Sequence, residues 1–111
     1  TMNGIIIKHT TMYRAQVINA RGNDTTISIM KAMLIDQLKA KMSRGVAKFA
    51  YLKKKDGGTL RIAYGTTNYA VAKDHTVGNG LSREYFKTTA YFDIQRGAWR
   101  SFRWENLVAV Y

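Results

Sequence analysis

Two β-rich runs separated by an Asp-Gly-Gly turn constrain this chain more than any other feature. From Val46 to Thr66 the sequence reads VAKFAYLKKKDGGTLRIAYGT. Asp56-Gly57 is a strong hairpin signal, because a tight primed turn needs φ > 0 and glycine adopts it without steric cost. Before the turn, Phe49 and Tyr51 alternate with Lys48, Ala50 and Leu52. After it, Leu60, Ile62 and Tyr64 alternate with Arg61, Ala63 and Gly65. Period-two alternation is what a half-buried antiparallel strand requires. Lys53, Lys54, Lys55 and Arg61 crowd the tip, so the hairpin carries positive charge.

The C-terminal third repeats the pattern. Tyr91–Gln95 reads as a strand, Arg96-Gly97 as its turn, and Ala98–Trp104 as the return strand. Trp99, Ser101 and Arg103 fall on one side of that return strand; Arg100, Phe102 and Trp104 fall on the other. One of these sets must face the core, and we assign Phe102 to the core and Arg103 to the surface. Glu105-Asn106 makes a short break, and Leu107–Tyr111 is a last strand. Short strands with tight turns suggest a small barrel, which removes exposed sheet edges.

Ahead of the hairpin, Ile27–Ser43 has helical spacing. Ile27, Met30, Leu34 and Leu38 form an apolar stripe that Met33 and Met42 widen. Thr25 or Thr26 is the expected N-cap, and Gly45 the residue that ends the helix. The stripe is expected to pack on the domain's own sheet; a partner surface is the alternative. Ile5–Lys8 and Tyr13–Asn19 lean towards β, and we read a strand at 13–19, although a helical turn fits the same residues. Asn68–Thr89 has the weakest pattern. Gly78-Asn79-Gly80 breaks it, Tyr69–Ala72 could add a strand, and Ser82–Phe86 could form one helical turn.

A chain of 111 residues has room for one domain with one modest core. It has no cysteine, so disulfides and thiolate metal sites are excluded and the redox compartment is left open, with the cytoplasm as the default expectation. No apolar run approaches the roughly 20 residues of a membrane span. Ile5-Ile6-Ile7 is too short for the apolar core of a secretory signal. Thr1 precedes Met2, which reads as an added residue ahead of the native start. Net charge is +11, and residues 31–60 alone hold eight basic and two acidic side chains. A concentrated basic block invites a polyanion, nucleic acid first and an anionic membrane surface second.

The segment Phe49-x-Tyr51-x-Lys53-x-x-Asp56-Gly57-Gly58-x-Leu60-Arg61-x-Ala63-x-Gly65-Thr66, followed by Tyr91-Phe92-Asp93 and Trp99-Arg100-Ser101-Phe102-Arg103, resembles small WYL-like domains of bacteria and their phages. The closing Arg100–Leu107 run is similar to the basic, ligand-facing strand of WYL domains. The resemblance covers about residues 46–111. It implies an Sm-like, SH3-type β-barrel and binding of nucleic acid or a nucleotide-like ligand. The Trp-Tyr-Leu tripeptide that names the larger family does not occur here. A chain of this length also leaves no room for the helix-turn-helix domain that often accompanies WYL regulators. The resemblance therefore points to the fold more than to a regulatory role.

No constellation asks for a reaction. His9 and His75 are the only histidines, far apart in sequence, and the seven acids are scattered singly. No close-spaced set of metal ligands is present, and Gly78-Asn79-Gly80 lacks both a P-loop lysine and a Rossmann spacing. Neither a cofactor nor a metal is expected. Small barrels bind single strands by joining a cationic groove to aromatic platforms. Lys53, Lys54, Lys55, Arg61, Arg96, Arg100 and Arg103 could supply the charge. Tyr64, Tyr91, Trp99 and Trp104 could supply the stacking, with Tyr64 and Tyr91 fitting core or site equally.

The expected fold is therefore one α+β domain over residues 1–111. It comprises an N-terminal strand or arm, one amphipathic helix at 26–44, and an SH3/Sm-like β-barrel of about five antiparallel strands over 46–111. The expected function is non-enzymatic binding of nucleic acid, single-stranded by preference. A nucleotide-sensing barrel and an assembly module built on the Met-rich helix are the alternatives. A homo-oligomer is compatible with the sequence.

Overall fold

The computed structural model describes residues 8–54, 58–72 and 83–111. Ile5–Ile7, Lys55, Asp56, Gly57, His75 and Gly78-Asn79-Gly80 lie outside the described residues. Two helices come first, α1 (His9–Ala20) and α2 (Thr25–Arg44). The strands β1 (Ala47–Lys53) and β2 (Thr59–Thr66) follow, then a single turn, α3 (Tyr69–Ala72). A 3₁₀ turn at Arg83–Phe86 leads into β3 (Thr88–Asp93) and β4 (Ala98–Arg103). A second one at Trp104–Asn106 leads into β5 (Leu107–Val110).

The five strands form one antiparallel sheet in the order β4-β3-β2-β1-β5. Both expected hairpins are present. β1 and β2 pair from Ala47↔Gly65 to Lys53↔Thr59, and β3 and β4 from Thr88↔Arg103 to Asp93↔Ala98. Gly97 turns the second hairpin at φ 62°, a left-handed conformation that favours glycine. The inward residues put four aromatic rings together. Phe49 and Tyr91 meet edge-on at 4.9 Å, and Tyr51 stacks on Phe102 at 5.3 Å. Gly65 sits under this cluster, where a Cβ would lie 2.5 Å from Tyr91 Cδ2 and 3.1 Å from Phe49 Cε1. Ile35, Leu38 and Met42 of α2 cover the same core.

Residues 13–19 are helical, which corrects the strand reading. The buried residues are Thr11, Arg14, Ala15 and Ile18, a spacing of three, one and three that only a helix brings to one face. Two helices thus precede the barrel where one was expected. Tyr69–Ala72 is likewise a helical turn and not a strand. α2 matches its expected span, but Asp24 caps it, accepting the Ile27 N–H at 2.8 Å, and neither threonine does so. Gly45 donates to Lys41 O at 3.1 Å in extended backbone, not in the left-handed form.

The buried face of α2 is Ser28, Ala32, Ile35, Leu38 and Met42, with Leu34 at its margin. Ile27, Met30 and Met33 are exposed by 43%, 59% and 39%. Apolar residues surround the N-terminal half of α2, so spacing alone defines no unique face. Packing of α1 selects the side with the small Ser28 and Ala32, which lets two helices approach closely.

One buried cation joins the helices to the barrel. The Arg14 guanidinium pairs with Asp36 of α2 at 3.0 Å and with Glu84 at 2.7 Å. It lies 5.6 Å from the centre of the Trp104 ring. Thr11 donates to the second Asp36 oxygen. Thr89 donates to Glu84 at 2.7 Å, and Lys39 lies 3.3 Å from the same oxygen. Burial works against the charged Glu84 carboxylate. The Thr89 and Arg14 hydrogen bonds, with the Lys39 and Arg14 charges, outweigh it, and its pKa lies below the usual carboxylate value.

Three outcomes are expected in thermal melts. Leu38→Ala should cost about 2–5 kcal/mol, the range for a core leucine, whereas Met30→Ala should stay within about 0.5 kcal/mol. Gly65→Ala should cost about 1–3 kcal/mol through overpacking against Tyr91. The lowered Glu84 pKa contributes stability above the unfolded carboxylate value of about 4.3, lost as pH falls through the folded value. The gap between the parent and Glu84→Gln should therefore be widest near neutral pH and close in acid.

Candidate functional site

The charged interior of the barrel follows from strand register. Tyr51 stands opposite Arg61 across β1 and β2, and Tyr91 opposite Arg100 across β3 and β4. All four belong to the inward-facing rows. The two phenols meet at 2.7 Å, oxygen to oxygen. Burial, then the bond to Tyr51, pushes the Tyr91 phenol well above its usual pKa. It is a neutral phenol at any physiological pH.

Asp93 ends β3 and is wholly buried. One of its oxygens accepts the Arg96 backbone N–H at 3.0 Å and so shapes the β3–β4 turn. The other accepts from Arg61 Nη2 at 2.7 Å and lies 3.7 Å from Arg100 Nε. The Arg61 side chain is only 10% exposed, and its Nε is the single buried side-chain polar atom among the described residues with no hydrogen-bond partner. Burial disfavours the charged Arg61. The Asp93 hydrogen bond, with the nearby phenols and the Asp93 charge, more than offsets it, so the pKa is raised.

Above Arg61 opens a pocket of about 320 Å³ between the end of β1 and the outer edge of β4. Five basic residues line it: Lys53, Lys54, Arg61, Arg100 and Arg103. Tyr51 and Phe102 close its inner end, and Ser101 and Asn106 contribute polar groups. Arg103 is half-exposed and lies 3.7 Å from Glu105. Among the described residues, five cations stand against Asp93 and Glu105 and leave a local excess of positive charge.

The register thus gathers five of the seven basic residues singled out in the sequence. Arg96 stays apart on the β3–β4 turn, where it is exposed, and Lys55 lies outside the described residues. The stacking candidates divide. Tyr91 is fully buried against Phe49 and Tyr51, which corrects its assignment as a platform: no ring face is open to a base. Trp104 is also core, donating from Nε1 to Thr89 at 3.1 Å with Tyr13 edge-on to it. Tyr64 is half-buried, with Lys48 Nζ 5.9 Å from its ring centre, and it is not among the pocket residues. Trp99 is 40% exposed and rests edge-on against Phe92. Phe102 is core, as expected.

Sequence reasoning missed Tyr51 and Asp93. Tyr51 alternates in step with Lys53 and opposes Arg61, a signal present in the hairpin pattern. Asp93 precedes a turn and reads as a turn residue, so its second bond to β2 has no sequence signature. A larger cleft of about 440 Å³ lies beside α1, lined by His9, Thr10, Tyr13, Arg14, Glu84 and Trp104. It is mostly apolar, and Arg14 and Glu84 spend their charges on each other and on Asp36 and Lys39.

A family model described as WYL_2, Sm-like SH3 beta-barrel fold, matches residues 35–108. The chain belongs to the WYL_2 family. That span runs from the middle of α2 into β5 and holds β1 to β4 and the start of β5 of this WYL_2 domain, together with its basic pocket. No curated protein and no solved structure matches the chain. No helix among the described residues is long and apolar enough to cross a membrane, and none of their His, Asp and Glu side chains group for a metal.

The Arg61–Asp93 pair is expected to support both fold and pocket. Asp93→Asn leaves a buried guanidinium without its counter-charge and should cost about 3–5 kcal/mol in denaturant unfolding. Arg61→Met combined with Asp93→Asn removes both charges and should recover most of that loss.

Proposed function

We propose that this WYL_2 domain is a non-enzymatic module that binds single-stranded nucleic acid through the basic mouth of its barrel. The carrying observation is the convergence of Lys53, Lys54, Arg61, Arg100 and Arg103 on one pocket. Arginine and lysine neutralise phosphates, and arginine also offers a planar fork matched to phosphate oxygens. Ser101 and Arg103 border the pocket and alternate in step with Trp99 along β4. At about 3.4 Å per residue this row is about 14 Å long, a path by which a strand leaving the mouth reaches an exposed indole. Stacking on such a ring is worth about 1–3 kcal/mol per base and tolerates any sequence. A duplex fits poorly, because the cations ring the mouth of one small pocket rather than lying along a ridge.

One observation favours a second reading, a nucleotide sensor: a volume of about 320 Å³ is within the range of small-ligand sites. Binding of a mononucleotide as tight as that of a strand would select it.

Fluorescence anisotropy with short single strands at several salt concentrations tests the reading. Affinity should fall with salt at a slope of about −0.7 per neutralised phosphate. Replacing Arg100 and Arg103 together by Ala should flatten the slope. Trp99→Ala should lower affinity and leave the slope unchanged. Absence of binding at low salt would rule the reading out.

A further inference from the structure

Exposure of the basic side chains is graded from rim to floor. Arg100 and Arg103 at the rim are 39% and 42% exposed, while Arg61 at the floor is 10% exposed. The floor is blind. Behind it the rings of Phe49, Tyr51, Tyr91 and Phe102 pack at 4.9–6.4 Å, so no chain threads the barrel. An internal phosphodiester carries a sugar on each side, and both must clear the walls before its oxygens approach Arg61. A phosphate at a strand end carries one sugar and projects into the pocket ahead of it.

Charge points the same way. A phosphate monoester carries about −1.5 to −2 near neutral pH, against −1 for a diester, and has one more oxygen free to accept. Arg61 keeps donor capacity for such a group. One nitrogen is held by Asp93, and Nε is buried without an acceptor.

We propose that the pocket reads a terminal phosphate: a monoester seats over Arg61, and the rim arginines hold the phosphodiesters that follow. This rests on the nucleic-acid reading and adds to it the part of the ligand that is recognised.

The test uses one internally labelled single strand in three forms, with a 5′-phosphate, with a 3′-phosphate, and with hydroxyls at both ends. One phosphorylated form should bind about tenfold tighter or more than the hydroxyl form, the worth of one charge-assisted hydrogen bond. The advantage should fade as pH falls through about 6, where the monoester gains a proton. In the Arg61→Met, Asp93→Asn double variant the three forms should converge on one affinity. If that variant does not fold, comparison of the three strands on the parent protein still decides. A free nucleoside monophosphate is the other source of the same group. Competition by it at the strand's own concentration would assign the pocket to free nucleotides; a need for large excess would assign it to strand ends. Equal binding of all three strands overturns the terminal-phosphate proposal and leaves the nucleic-acid reading standing. Failure of every strand to bind at low salt overturns both.

Discussion

A buried carboxylate on β3 determines where the positive charge of this domain gathers. Asp93 has no exposed surface, so its charge needs partners inside the fold. It finds a backbone N–H in its own turn and the guanidinium of Arg61 on the neighbouring strand. The first bond fixes the geometry of the β3–β4 hairpin, and with it the position of Arg100 and Arg103. The second draws Arg61 into the barrel mouth instead of releasing it to solvent. Without Asp93, the buried Arg61 would lack its counter-charge.

The helices meet the barrel through a second buried charge of opposite sign. Arg14 is held from three elements, by Asp36 on α2, by Glu84 on the 3₁₀ turn and by the face of Trp104. Lys31 adds a tie at 2.7 Å to the carbonyl of Glu105, next to Trp104 in the same turn. Removing one member of such a network strands the rest in a medium where unpaired charge is costly. The helical pair is thus fastened to the barrel at the Trp104–Asn106 turn, whose Asn106 also lines the basic pocket.

Legibility in the sequence followed the range of the interaction. Both hairpins were readable because alternation and turn chemistry are local. The assignment of Phe102 to the core was readable because one side of a strand must be buried. The α1 helix was less so: Tyr13, Ala15, Val17 and Asn19 alternate as a strand would, and only the partner helix shows that Thr11, Arg14, Ala15 and Ile18 form one face. The face of α2 was misread for the same reason. Its stripe of Ile27, Met30 and Leu34 is as regular as the face that is buried, and contact with α1 and the sheet chose between them. The basic residues of the site were visible as a charged hairpin tip and an Arg-rich closing strand, yet nothing local tied one to the other.

The sequence by itself determined the strands, the long helix, the excess of positive charge and the family to which those motifs point. These depend on side-chain period, on glycine at turns and on composition, which are properties of neighbouring residues. Tertiary structure decided which cations share a pocket, that Tyr91 is core while Trp99 is surface, and that an aspartate beside a turn anchors an arginine of the neighbouring strand. The last of these brings residues 32 positions apart within hydrogen-bonding distance, Arg61 and Asp93 at 2.7 Å. Register across the sheet sets such distances, and register is a property of strands in pairs.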